Sequence, residues 1–252
     1  MPPSVPTRNL HMKFVMTLVF ISVAACVTGY AADPPVGEPK IGSLSVGKVL
    51  YLGNSITLHG PAPKIGWTGN WGMAASAAKN DYVHLLTADI AQASGRQPQI
   101  MVRNMARFER EYGTFKIEEE FKDELDFEAD LVIVAIGENV TTPATDEAKA
   151  AFANAFAQLI ATIQQHGDPE IFARSSFWPN STKDDIMRQV TAEAGATFID
   201  ISELGDDKSN QASAEQPFEH AGVAAHPGDK GMQAIATAIY AAIQEQAGVT
   251  GK

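Results

Sequence analysis

The chain has 252 residues, 45% hydrophobic and 19% charged, the proportions of one globular domain with a sizeable core. Its 19 basic and 30 acidic residues give a formal net charge of −11, which argues against nucleic acid or an anionic membrane surface as the main partner. The bland reading of that charge is a soluble acidic surface.

In chain order, the first segment reads as an export signal. Arg8, His11 and Lys13 make a weakly basic start, and Phe14 to Ala25 is an apolar run. That run falls short of the ~20 residues a membrane-spanning helix needs, so no membrane span is expected. Gly29-Tyr30-Ala31 places small residues at the two positions a signal peptidase reads, which predicts a signal peptide over residues 1–31 and a periplasmic or secreted protein. Cleavage there removes Arg8 and Lys13 and no acid, leaving 17 basic and 30 acidic residues and a formal charge of −13. The single cysteine, Cys26, lies in this segment, so the cleaved chain would carry no disulfide. Val23-Ala24-Ala25-Cys26 also resembles a lipobox, and a lipid anchor at Cys26 is the alternative.

Residues 32–46, rich in Pro and Gly, read as a linker or N-terminal arm, and residues 47–252 as the folded domain. Strands are predicted over Val49–Gly53, Gln99–Arg103, Leu131–Ile136, Glu170–Ala173 and Thr197–Ile201. Helices are predicted over Asp81–Ala93, Phe115–Leu125, Asp146–His166, Thr182–Ala194 and Asp229–Gln246. The run Leu131-Val132-Ile133-Val134-Ala135-Ile136 shows no alternation, as a strand buried on both faces requires. This βαβα order implies an α/β fold, a parallel sheet with helices on both sides. Ligands then bind beyond the carboxyl ends of the strands, where Ser55, Asn104, Gly137-Glu138-Asn139 and Phe177-Trp178-Pro179-Asn180 would gather. The connection Leu58–Asn80 is long for such a fold, and it carries His59, Trp67 and Trp71. It reads either as a pocket-shaping loop or as an insertion packed on its own tryptophans.

A serine hydroxyl becomes a nucleophile only with a base in reach and donors for the oxyanion. Gly53-Asn54-Ser55, directly after the first strand, resembles the Gly-Asp-Ser block of the SGNH, or GDSL, hydrolases. Gly137-Glu138-Asn139 resembles their Gly-x-Asn-Asp block, and His226-Pro227 their Asp-x-x-His block. The resemblance runs from about Lys48 to Gln246 and implies a flavodoxin-like three-layer sandwich with a five-stranded parallel sheet. It also implies a carboxylic ester hydrolase that needs no cofactor. Ser55 would be the nucleophile, His226 the general base, and the Ser55 N–H and the Asn139 amide the oxyanion donors. The family's further donor is a glycine N–H after the second strand. Asn104-Met105-Ala106-Arg107-Phe108-Glu109 has no glycine there, but a backbone N–H does not require one, so this donor stays unassigned.

The chain departs from the family at the acid. Val223 stands three residues before His226, where the family has Asp, and an apolar side chain cannot orient an imidazole. Three explanations are open: a Ser–His dyad oriented by a backbone carbonyl, a substitute acid from Glu219, Asp206 or Asp207, or an impaired enzyme. The α/β-hydrolase pattern Gly-x-Ser-x-Gly fits less well, since Thr57 stands at its last glycine.

The remaining candidates carry two readings each. Asn54, Trp67, Trp71, Glu138 and Trp178 are expected to bind substrate, aromatic faces being suited to sugar rings; the tryptophans are alternatively core. Ser55 could be a helix N-cap, and His226 a surface residue before Pro227 at a helix start. Asn139 has the alternative of a turn residue. Asp229 is expected to cap the last helix, and His59 and His220 to be loop residues. No spacing resembles a zinc or calcium site. The sequence thus predicts an exported esterase acting on a small-molecule or polysaccharide ester, O-acetyl carbohydrate first. The alternatives are a non-catalytic binding protein on the same fold, and a lysophospholipase or thioesterase.

Overall fold

A computed structural model describes residues 37–249, with Met1, Pro3 and Ser4. Apart from those three residues, the predicted signal peptide lies outside the described residues, as do its cleavage point and Cys26. Two short antiparallel strands come first, β1 (Lys40–Ile41) and β2 (Leu44–Ser45). They sit within the stretch read as an arm, and Ile41, Leu44 and Val46 are buried in the core.

The domain continues as β3 (Lys48–Gly53), α1 (Tyr82–Ser94), β4 (Gln99–Asn104), α2 (Ala106–Glu111), α3 (Ile117–Glu120), α4 (Lys122–Asp126), β5 (Leu131–Ala135) and α5 (Asp146–Gln164). It ends with β6 (Glu170–Arg174), α6 (Ser181–Glu193), β7 (Thr197–Ile199), α7 (Ser202–Asp206), α8 (Ala221–Ala224) and α9 (Asp229–Gln246). The five predicted strands are all present and form one parallel sheet in the order β4-β3-β5-β6-β7. The chain steps to one side of β3 and then returns to the other, which opens a crevice at the carboxyl ends of the central strands.

Each face of the sheet is closed by helices, as the alternation along the strands requires. Val49, Tyr51, Leu131 and Ile133 pack with Leu86 and Ile90 of α1 and Ile235 and Ile239 of α9. Leu50, Leu52, Val132 and Val134 pack with Phe152, Phe156 and Ile160 of α5 and Met187 and Val190 of α6. The flavodoxin-like three-layer sandwich is therefore observed. One predicted helix differs: Phe115–Leu125 is two short helices. They break at Phe121, whose backbone leaves the helical region (φ −113°, ψ 23°) while its ring is buried in the second core.

Candidate active site

The serine turn is built by Gly53 and Asn54. A Cβ on Gly53 would lie 1.8 Å from Thr57 Oγ1 and 2.9 Å from the Ala135 carbonyl, so only glycine lets β3 run this close to β5 before turning. Asn54 then organises the turn from inside. Its carbonyl accepts from the N–H groups of Thr57 and Leu58 at 3.0 and 2.9 Å, and its Oδ1 accepts from Ile56 N at 3.2 Å. Ser55 stands half-buried at the apex. Its hydroxyl belongs to no helix cap; Oγ lies 2.8 Å from His226 Nε2.

His226 is 9% exposed, not the surface residue of the bland reading. It follows α8 directly, and its Nδ1 lies 2.6 Å from the Gly222 carbonyl oxygen. The acceptor that orients the imidazole is thus backbone, one helical turn upstream. Val223, in the position of the missing acid, is 1% exposed and packs with Trp67, Met73, Ala74 and Ala212. Glu219 and Asp206 are exposed, and the Asp207 carboxylate bonds Ser209. Burial lowers the His226 pKa, against the opposing pull of the Gly222 carbonyl and of Glu138, so the ring is a neutral acceptor at pH 7.

Asn139 lies on the same cavity, at the end of the Gly137-Glu138-Asn139 turn. Gly137 holds φ 121°, and a Cβ there would meet Ser176 Oγ at 2.5 Å. The amide of Asn139 is clamped at both ends: Nδ2 donates to Glu109 Oε2 at 2.7 Å, and Oδ1 accepts from Arg110 Nη2 at 2.8 Å. The cavity, of about 360 Å³, brings Ser55, His226 and Asn139 together with Asn104, Arg110, His59 and His220. Past β4, the N–H of Met105 is held by Gly53 O at 2.5 Å and that of Ala106 by Asn104 Oδ1 at 2.9 Å.

Beneath this floor lies a buried polar cluster that sequence reasoning missed. Glu109 is fully buried and accepts from Gly137 N at 2.7 Å, Asn139 N at 3.2 Å and Asn54 Nδ2 at 3.1 Å, in addition to Asn139 Nδ2. Glu138 points inward too, bonded by Arg174 Nη1 at 2.7 Å, Phe177 N at 2.8 Å and Asn54 Nδ2 at 2.5 Å. The two carboxylates therefore share the Asn54 amide, and their proton affinities are pushed apart. For Glu109, burial and the charge of Glu138 raise the pKa, and the donors around it only partly offset them. For Glu138, burial acts upward as well, but Arg174 and the Phe177 N–H outweigh it and hold the carboxyl below its ordinary value. The warning in the sequence was Arg174: a cation ending a strand buried on both faces needs a buried partner.

Asn54, Trp67, Trp71, Glu138 and Trp178 stand outside the lining of the cavity. Asn54 and Glu138 are taken up by the cluster just described. The three indole N–H groups each donate to backbone: Trp67 to His59 O, Trp71 to Ala75 O and Trp178 to Ala225 O. Trp67 and Trp71 meet edge to face inside the Leu58–Asn80 connection, which bridges to itself at His59–Trp71 and Ala62–Trp67. Trp67 also backs Val223, and Trp178 sits edge-on to the His226 ring, centroids 5.0 Å apart. Asp229 does not cap its own helix. Its carboxylate accepts from Ser76 N and Oγ and from Asn80 Nδ2, tying the long connection to α9, while Glu215 caps the N–H groups of Asp229 and Lys230. His59 and His220 are loop residues, as expected, and both line the cavity. Among the described residues no cluster of His, Cys, Asp and Glu could hold a metal ion, and no helix is long and apolar enough to cross a membrane.

The chain is similar to known structures over most of its length. It aligns with a protein from Parabacteroides merdae described as a GDSL-like lipase, at 17% identity and a TM-score of 0.53, covering 84% of this chain and 100% of the other. A Bacteroides ovatus protein of the same description gives 14% identity and a TM-score of 0.53, over 80% and 99% of the two chains. An active-site mutant of a family two carbohydrate esterase from Clostridium thermocellum gives 14% identity and a TM-score of 0.51, over 84% and 66%. At these identities the likeness is one of fold. No curated protein sequence matches the chain. The pattern of the GDSL-like lipase/acylhydrolase family matches residues 51–234, which include the serine turn, the Gly-Glu-Asn turn and His226. The chain belongs to this SGNH family of carboxylic ester hydrolases.

Proposed function

We propose that the protein is an exported serine esterase that cleaves small acyl groups, acetyl first, from carbohydrate esters through an acyl-enzyme. The observation that carries the reading is the 2.8 Å contact of Ser55 Oγ with His226 Nε2, backed by the Gly222 carbonyl at Nδ1. Ser55 Oγ attacks the ester carbonyl as Nε2 takes its proton, giving a tetrahedral oxyanion. The Ser55 N–H and the Asn139 side-chain amide, whose second hydrogen is not needed by Glu109, stabilise that charge. His226 then returns the proton to the departing alcohol, and water, activated by the same ring, releases the acid.

The backbone acceptor at Nδ1 supports a Ser–His dyad over a substitute acid. It also weakens the binding-protein alternative, whose motive was Val223. The cavity of about 360 Å³ favours a short acyl group over the long chains of a lysophospholipase. The carbohydrate class is suggested by the C. thermocellum neighbour rather than by the tryptophans, whose N–H groups face backbone. Export rests on the sequence pattern of residues 1–31, with lipidation of Cys26 as the alternative.

Fluorophosphonate labelling, read by intact mass and peptide mapping, tests the core of this reading. Labelling at Ser55 that vanishes in Ser55→Ala and His226→Ala supports it. Absence of labelling on folded wild-type protein would overturn it in favour of a binding role. Acetate release from acetylated polysaccharide, set against long-chain lipid esters, tests the substrate class, and a preference for the lipids would sink it.

A further inference from the structure

The charge lining the cavity is opposite to the charge of the molecule. The chain carries 30 acidic residues and a net charge of −11. Yet among the described residues no Asp or Glu lines the cavity that holds Ser55, while Arg110, His59 and His220 all do. Arg110 is the permanent cation among them. It is exposed, and its one hydrogen-bond partner among the described residues is a neutral amide oxygen, Asn139 Oδ1. The acids beside it in sequence are engaged elsewhere. Glu111 pairs with Arg107 at 3.1 Å, and Glu109 is buried beneath, filled by four N–H donors. A guanidinium with a planar fork of donors, open to solvent beside a nucleophile and without a carboxylate of its own, is a receptor for one.

We infer that Arg110 reads a negative charge on the substrate, so that the preferred ester carries a carboxylate close to the scissile bond. The inference rests on the esterase reading and narrows its substrate class. The geometry explains how recognition could couple to chemistry. Arg110 already touches Asn139, so a carboxylate bound at Arg110 lies within one side chain of an oxyanion donor. The charge can belong to the acyl group, as in a dicarboxylic half-ester, or to the alcohol, as in an O-acetylated uronic acid.

The test measures kcat/KM for two matched pairs on the folded protein. One pair is 4-nitrophenyl 4-methylpentanoate, of the same shape without the charge, against the 4-nitrophenyl half-ester of succinic acid, and the other O-acetylated methyl glucoside against O-acetylated methyl glucuronoside. The expected result is a preference for the anionic member of at least one pair by about tenfold or more, the scale of a charge-assisted hydrogen bond. The pair that shows it identifies the source of the charge. Raised salt should shrink the preference, and Arg110→Gln should bring the ratio close to one. A purely positioning role of Arg110 on Asn139 would lower both members alike and leave the ratio unchanged, which overturns the inference. A wild-type enzyme that turns over the neutral esters with no preference in either pair overturns it as well, and leaves the esterase reading standing. Failure to turn over any ester, with Ser55 unlabelled, would be failure of the esterase reading itself.

Discussion

His226 Nδ1 is held by the carbonyl oxygen of Gly222 at 2.6 Å, and the side chain next to that carbonyl, Val223, faces a small apolar cluster instead of the ring. A carbonyl dipole fixes the tautomer that leaves Nε2 free to accept, which is the orienting half of what a triad acid does. It supplies less of the other half, stabilising imidazolium. The short helix α8 makes this possible by placing a free carbonyl one turn before the histidine.

Restoring the family's acid should therefore fail to help. Val223 is 1% exposed against Trp67 and Met73, so Val223→Asp buries a carboxylate where apolar packing stood, at a cost of about 3 kcal/mol. The one Nδ1 proton is already engaged. Denaturant unfolding should show the loss, and kcat/KM should not rise. A rise of roughly tenfold or more would mean that the carbonyl is an inadequate partner and that the acid had been limiting.

The pH dependence of kcat/KM should carry a single base limb set by His226. Burial lowers its pKa from the ordinary 6.5, more than the Gly222 carbonyl and Glu138 raise it. A lowered pKa keeps the imidazole neutral to lower pH, so activity should persist below pH 6.5 and fall only as protonation of Nε2 sets in. A limb centred near or above pH 7 would show that a carboxylate pairs with the ring in solution.

Glu109 is a positioning residue for Asn139. Everything around its carboxylate donates: Asn54 Nδ2, Gly137 N, Asn139 N and Asn139 Nδ2. In Glu109→Gln one oxygen becomes a donor facing donors, and the Asn139 amide must turn or shift. Turnover should drop roughly tenfold to hundredfold with KM little changed, approaching the effect of removing an oxyanion donor. In a double-mutant cycle with Asn139→Ala the second loss should be much smaller than the first. Additive losses would place Glu109 outside the oxyanion hole.

The strands, the long helices and the Ser55–His226 pairing were legible because each leaves a local mark. An unbroken apolar run marks β5, apolar Ile186, Val190 and Ala194 at helical spacing mark α6, and a glycine-bounded turn after the first strand marks Ser55. What escaped was set by contacts remote in sequence. The Glu109–Asn54–Glu138–Arg174 cluster joins four segments, and nothing near Glu109 distinguishes it from the solvated acids Glu111 and Glu118. The tryptophans have aromatic faces that suit sugars and core alike, and only the direction of their N–H groups separates the two. Asp229 has the position of a cap, but Glu215, fourteen residues upstream, reaches the helix start first.

The Glu138–Arg174 pair should be a keystone of stability. Both side chains are buried, at 2% and 0% exposure, and they meet at 2.7 Å. Removing one partner leaves the other charge buried and unmatched, so Arg174→Met should cost about 3–5 kcal/mol, whereas the double change Arg174→Met with Glu138→Gln should recover part of that loss. The pH dependence has a definite sign. Because the Glu138 pKa is depressed in the folded protein from its ordinary 4.5, the pair's contribution is present above pH 4.5 and lost as pH falls through the lower folded value. In Arg174→Met that acid-side loss should be reduced or reversed, since the unpaired carboxyl gains from protonation. Urea unfolding of the wild type and both variants at neutral and at acid pH would show it. Equal destabilisation by the single and double changes would mean that the pair contributes through packing and not through charge.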